Sequence, residues 1–152
     1  MKAWFELAGE GAIPIRVFLS IFYHVFEAGG ADFPKPNQRC GLLTADRIKL
    51  FGDGALGAST AALSENYKGK NHSGMALQTV DSLTEKFDKL HSAGWRVEIH
   101  VIGDRAVDIA LDSMERSKGT AEQKRKFRHI LNHSQMIRPD HIPRIKEFGR
   151  RV

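Results

Sequence analysis

Lys49, His100 and His133 are the residues whose types and spacing suggest chemistry. A neutral imidazole presents a nitrogen lone pair, so two histidines on adjacent strands make ligands for a divalent metal such as zinc. A lysine ammonium has no lone pair to give. It joins such a set only after carbamylation by carbon dioxide, which turns the amine into an anionic oxygen ligand. Each residue also has an ordinary role, as an ion-paired strand-end lysine or a hydrogen-bonded histidine. Taken singly those roles are the commoner ones; taken together, and with the motifs around them, the three read better as a metal set.

The elements that must position them follow from periodicity. Trp95, Val97, Ile99 and Val101 alternate with Arg96, Glu98 and His100, the pattern of a strand. Gly103 permits a turn, and Asp104 stands where a cap is needed for a helix with the stripe Val107, Ala110, Leu111, Met114. Lys49 lies in a strand over 46–51, and His133 ends one over 127–133. A further strand is expected over 15–22, and helices over 2–8 and 76–92. Asp140 is expected to cap a last helix bearing Ile142, Ile145 and Phe148, closed by Gly149. Pro34 and Pro36 limit residues 23–38 to a short helix and loop. Residues 52–74 form a long loop of small residues, and Lys118 to Lys126 fall on a helix end and loop.

Alternation of strands and helices implies an α/β fold, a parallel sheet with right-handed crossovers. His100 and His133 are 33 residues apart, near the ~30 of one βαβ unit. Lys49 and His100 are 51 apart, one unit plus the loop. All three side chains then reach the rim at the strands' C-terminal ends, where such folds collect ligands.

Composition narrows the class. The chain has 152 residues, 41% hydrophobic and 27% charged, enough for one domain with a core. No apolar run is long enough for a membrane span, no signal peptide is visible, and the single Cys40 excludes an internal disulfide. A cytoplasmic protein is the default expectation. The net charge of +5 is uneven: residues 115–152 carry 11 Lys/Arg against 4 Asp/Glu. No aromatics interleave with Lys118, Lys124, Arg125 and Lys126, so a solvated face is the better reading and no nucleic-acid partner is expected.

Three stretches carry a family resemblance. Ile48-Lys49-Leu50-Phe51-Gly52-Asp53-Gly54-Ala55-Leu56-Gly57, continuing to Leu63, resembles a glycine-rich segment of the YtcJ-like amidohydrolases, a group that includes N-substituted formamide deformylase. His100-Val101-Ile102-Gly103-Asp104-Arg105-Ala106-Val107-Asp108 is similar to their His-x-Ile-Gly-Asp-Arg-Ala-Val-Asp motif. Arg128-His129-Ile130-Leu131-Asn132-His133-Ser134-Gln135 is similar to a third. Pro139-Asp140 and Ile142-Pro143-Arg144 match the family's residues just C-terminal to that third motif.

The resemblance implies a metal-dependent TIM (β/α)₈ barrel that hydrolyses C–N bonds of small, amide-like, non-peptide substrates. It implies Lys49 as the carbamylated ligand on the fourth barrel strand, with His100 and His133 as ligands on the fifth and sixth. Departures accompany it. Ala58-Ser59 stands in place of Ser-Arg, removing a guanidinium, and Asn132 in place of Glu. The family's His-x-His pair and its proton-shuttling Asp fall outside these residues. A whole barrel takes about 250 residues. The expectation is therefore a partial barrel, roughly strands three to six, with open edges that favour a homo-oligomer or a complementary half-barrel. The rival expectation is an inactive barrel piece serving as a binding or assembly module.

Overall fold

The structure, a computed structural model, describes residues 1–148. Its elements are α1 (Lys2–Gly9), β1 (Val17–Phe22), α2 (Tyr23–Ala28), β2 (Gln38–Cys40), β3 (Leu43–Phe51), α3 (Val80–Ser92), β4 (Arg96–Val101), α4 (Asp104–Arg116), α5 (Ala121–Phe127), β5 (Ile130–His133) and α6 (His141–Phe148). β1, β3, β4 and β5 form a parallel sheet in that order. The expected α/β class holds, with about four parallel strands and helical crossovers. The expected helix end at Gly149, and anything begun by Arg150 to Val152, lie outside the described residues.

Alternation along β3 and β4 explains the layers. Ile48, Leu50, Val97, Ile99 and Val101 point to one face and are buried. There they meet Leu83, Phe87 and Leu90 of α3 and Val107, Ala110, Leu111 and Met114 of α4 in one core. Burying side chains of this size stabilises by roughly 1.5–3 kcal/mol each. The other face carries Arg47, Lys49 and Phe51 of β3 and Arg96, Glu98 and His100 of β4, all less buried. The helices cover the first face and leave the second open. Among the described residues no helix is long and apolar enough to cross a membrane.

Several boundaries differ from the sequence expectations. β3 begins at Leu43, and a short β2 pairs antiparallel with its first residues; Gly41, at φ +53°, makes the connection. α3 begins at Val80 rather than 76, because the Thr79 side chain accepts from the Ser82 amide and caps it there. Gly103, not Asp104, is the N-cap of α4. Residues 121–127 are the helix α5, not a loop. Thr120 and Gln123 satisfy each other's backbone amides in a capping box. β5 is correspondingly shorter, starting at Ile130.

Residues 52–79 contain no helix or strand, yet they pack closely. The Leu63 amide donates to Ser73 O at 2.8 Å, and the Tyr67 hydroxyl to Ala61 O at 2.9 Å. A Cβ on Gly103 would lie 1.9 Å from Ala62 O, so only glycine lets this loop close over the turn between β4 and α4.

Candidate active site

Sheet register sets the geometry at the C-terminal ends of the strands. Lys49 is paired with Phe22 and with Glu98, and Phe51 with His100. His100 in turn is paired with Asn132. The open face thus rises in rows, from Phe22, Lys49 and Glu98 to Phe51, His100 and Asn132.

His133 reaches the same mouth by a different route. Asn132 and His133 are neighbours, so a regular strand would send them to opposite faces. Asn132 Nδ2 donates to Glu98 on the open face at 2.7 Å. Nevertheless the His133 ring lies 4.7 Å from the His100 ring, edge to face. His133 has φ +71° and Ser134 φ +45°. This left-handed step, which histidine tolerates better than most side chains, turns His133 onto the rim.

His100 is held in one tautomer. Its Nε2 lies 2.8 Å from the carbonyl of Gly54, and a carbonyl only accepts, so Nε2 carries the proton. Nδ1 of the neutral ring keeps its lone pair. Asp53 stands beside it, with Oδ1 3.6 Å from Nε2. The Asp53 carboxylate is almost fully buried and accepts from three backbone amides: Ile102 (2.9 Å), Gly103 (2.8 Å) and Ala62 (3.0 Å). One side chain therefore ties the long loop to the strand end that carries His100.

Lys49 is engaged differently. Its Nζ lies 3.1 Å from Glu98 Oε1, and both side chains are nearly buried. Glu98 also pairs with Arg47 at 3.5 Å. Burial alone pushes the Glu98 carboxyl up, but the Lys49 and Asn132 hydrogen bonds outweigh it and hold the group below the usual carboxylate range. The charged groups of the open face thus satisfy one another; Arg96, paired with Asp46 at 3.4 Å, and Glu98 are therefore not left to water alone. The Lys49 ammonium also sits 5.5 Å from the centre of the Phe51 ring.

The donor set can be tested against a divalent ion. His100 offers Nδ1 while its other nitrogen is anchored on a carbonyl, the arrangement metal-bound imidazoles adopt. Its ring and that of His133 are adjacent. Lys49 fits only as a carbamate, and its ammonium is here paired with Glu98. A second cluster exists: Asp108, Asp140 and His141 bring ligand atoms within 4.8 Å of one another. A cation already occupies it. The Arg138 guanidinium bonds Asp108 at 2.9 Å, Asp140 at 3.0 Å and Asp104 at 3.0 Å, and these acids hold its pKa above the ordinary value. This network joins α4 to α6.

Sequence reasoning placed Lys49, His100 and His133 at strand ends but missed Asp53 and the Lys49–Glu98 pair. A lone Asp between two glycines after a strand was the available signal for the first.

A sequence model of the amidohydrolase family matches residues 1–152. YtcJ of Bacillus subtilis, named for an amidohydrolase, is 28% identical over 118 residues, which are 76% of this chain and 22% of that protein. LONG AFTER FAR-RED 3 of Arabidopsis thaliana is 33% identical over 93 residues, 60% of this chain and 16% of the relative. Two crystal structures, described as uncharacterized metal-dependent hydrolases, superpose with TM-scores of 0.81. The one from Pyrococcus horikoshii is 32% identical and the one from Pyrococcus furiosus 34%. Each match covers 97% of this chain, but only 29% and 30% of the respective relative. The chain therefore spans less than a third of the length of these relatives.

Proposed function

The chain belongs to the amidohydrolase family, and from that premise we propose that it is part of a metal-dependent hydrolase of non-peptide C–N bonds in small amide-like substrates. In this reading residues 1–152 are one partial barrel domain, strands three to six, and Lys49, His100 and His133 hold a divalent ion, zinc by preference. The observation that carries it is the adjacent pair of imidazoles, one fixed with its lone-pair nitrogen free.

When bound, such an ion lowers the pKa of its water to about 7 and polarises a carbonyl. The chain's own residues do the rest. Gly54 O holds the proton of His100 on Nε2, so that Nδ1 keeps the lone pair a ligand needs. Asp53 fixes the turn that carries His100. Glu98, braced by Asn132, holds the Lys49 amine on the open face. To ligate, the ammonium would release one proton to solvent, its nitrogen would bond to the carbon of carbon dioxide, and a second proton would leave the nitrogen to give the anionic carbamate, so exchange of the Glu98 contact for a carbamate is part of assembly.

The test is metal analysis of the purified chain after zinc loading and desalting. One zinc per chain is expected for the wild type and none for His100→Ala; a wild type without zinc overturns the metal site. A second reading, a barrel piece acting as a binding or assembly module, draws support from Phe18, Phe22 and Phe51, which are 54%, 48% and 41% exposed. An oligomeric or partner-bound protein that takes up no metal would favour it.

A further inference from the structure

We propose that Phe22 and Phe51, extended by His24, form a stacking subsite for a planar, unsaturated substituent of the substrate. The inference rests on reading the mouth at His100 and His133 as the reaction site. The rings make a continuous row across the strand ends. His24 and Phe22 stack with centres 5.6 Å apart and an interplanar angle of 17°. Phe22 and Phe51 stack at 6.1 Å and 25°. Phe51 lies 5.5 Å from His100, and His100 4.7 Å from His133. A cavity of about 390 Å³ opens at the His24–Phe22–Phe51 end of this row, lined by those three residues and by Lys49, Leu77 and Gln78 among others. It falls within the range of small-ligand sites, about 300–1,000 Å³.

The cavity's chemistry selects the occupant. Three of its polar lining groups are already engaged: Gln78 Nε2 donates to Phe51 O at 3.2 Å, Lys86 Nζ to Gln78 Oε1 at 2.6 Å, and Lys49 Nζ to Glu98 Oε1 at 3.1 Å. What it offers a ligand is ring faces. Phe22 and Phe51 are among the most exposed aromatics of the chain, although neither is needed by the core on the opposite side of the sheet. An aromatic ring in offset or edge-to-face contact with such faces gains about three- to tenfold in affinity beyond what its buried area provides, a gain that a saturated ring of equal size, lacking the π-system, does not share. The row continues through Phe51 to His100 and His133, so a ring seated against Phe22 and Phe51 lies beside the proposed centre.

The test compares benzamide with cyclohexanecarboxamide, which share the amide and the ring size but differ in planarity. Binding to the 152-residue chain is measured by NMR titration with a chelator present, so the result does not depend on metal uptake. Benzamide is expected to bind about three- to tenfold more tightly, and Phe51→Leu, which keeps an apolar side chain, to abolish that preference. Phe22→Leu is expected to do the same, with circular dichroism confirming the fold of each variant. Equal binding of the two amides, binding of neither, or a preference that survives both substitutions overturns the proposal. Failure of zinc uptake alone leaves it standing.

Discussion

Replacing Asp53 with Ala probes how the mouth is held. The carboxylate is 1% exposed and accepts from the amides of Ala62, Ile102 and Gly103. Removing it strands three donors away from water. Each unsatisfied buried group costs about 1–3 kcal/mol, and the vacated space admits water that recovers part of this. A net loss of about 3–5 kcal/mol is expected, a large share of the roughly 5–15 kcal/mol that holds a domain together. Asp53→Asn is gentler. Its oxygen, placed where Oδ2 was, still serves Ala62 and Gly103, while its NH₂ opposes the Ile102 amide, so about 1–3 kcal/mol is lost. Urea unfolding followed by circular dichroism gives the numbers, with a lower midpoint at unchanged slope as the signature of a stability effect. Hydrogen exchange adds a local readout: all three amides should lose protection in Asp53→Ala, and the Ile102 amide alone in Asp53→Asn. A midpoint for Asp53→Ala within about 0.5 kcal/mol of the wild type would refute the reasoning, because the three bonds would then be worth nothing.

Gly103→Ala should destabilise by more than about 4 kcal/mol, since its Cβ would meet Ala62 O at 1.9 Å, while Gly57→Ala, with nothing within 4 Å, stays within about 0.5 kcal/mol; thermal melts of the two variants distinguish them. Thr120→Ala should cost about 1 kcal/mol through loss of the capping box, measured by the same unfolding assay. Acid should weaken the fold through His91 and His129. His129 Nδ1 accepts from the Val97 amide, so its Nε2 donates to His91 Nε2 at 2.9 Å. Burial draws the pKa of His91 down to about 4 and that of His129 down to about 3. The unfolded chain, with values near 6.5, therefore takes up protons first. Stability is complete above pH 6.5 and declines from there toward pH 4 and then 3. The slope approaches about 1.4 kcal/mol per pH unit for His129 and less for the more exposed His91. Equal urea midpoints at pH 7 and pH 5 would contradict this.

The parts of the fold that were legible are those where burial imposes a period. β4 reads cleanly because Val97, Ile99 and Val101 pack on helices while Arg96, Glu98 and His100 face the opening. The start of β3 does not, because Leu43, Thr44, Ala45 and Asp46 are all buried and no alternation survives. α5 carries its start signal in Thr120 and Gln123 but no apolar stripe. Its buried residue is Lys124, whose ammonium donates to the carbonyls of Met114 and Glu115. Lys49, His100 and His133 were visible as strand-end residues because chain spacing alone aligns them. The Asp53 clamp and the Glu98 brace were not visible, since both depend on partners about fifty residues away.

The positive φ of His133 means that two consecutive residues of one short strand serve one opening. Asn132 works inside the sheet and His133 at its lip, so the mouth acquires an extra imidazole without an extra strand. The arrangement also restricts inheritance at this position. β-Branched side chains are nearly barred from that backbone, while Asn, Asp and His enter it most readily among residues with a side chain. The same short list contains side chains that bind cations, so drift at position 133 is steered toward one donor replacing another.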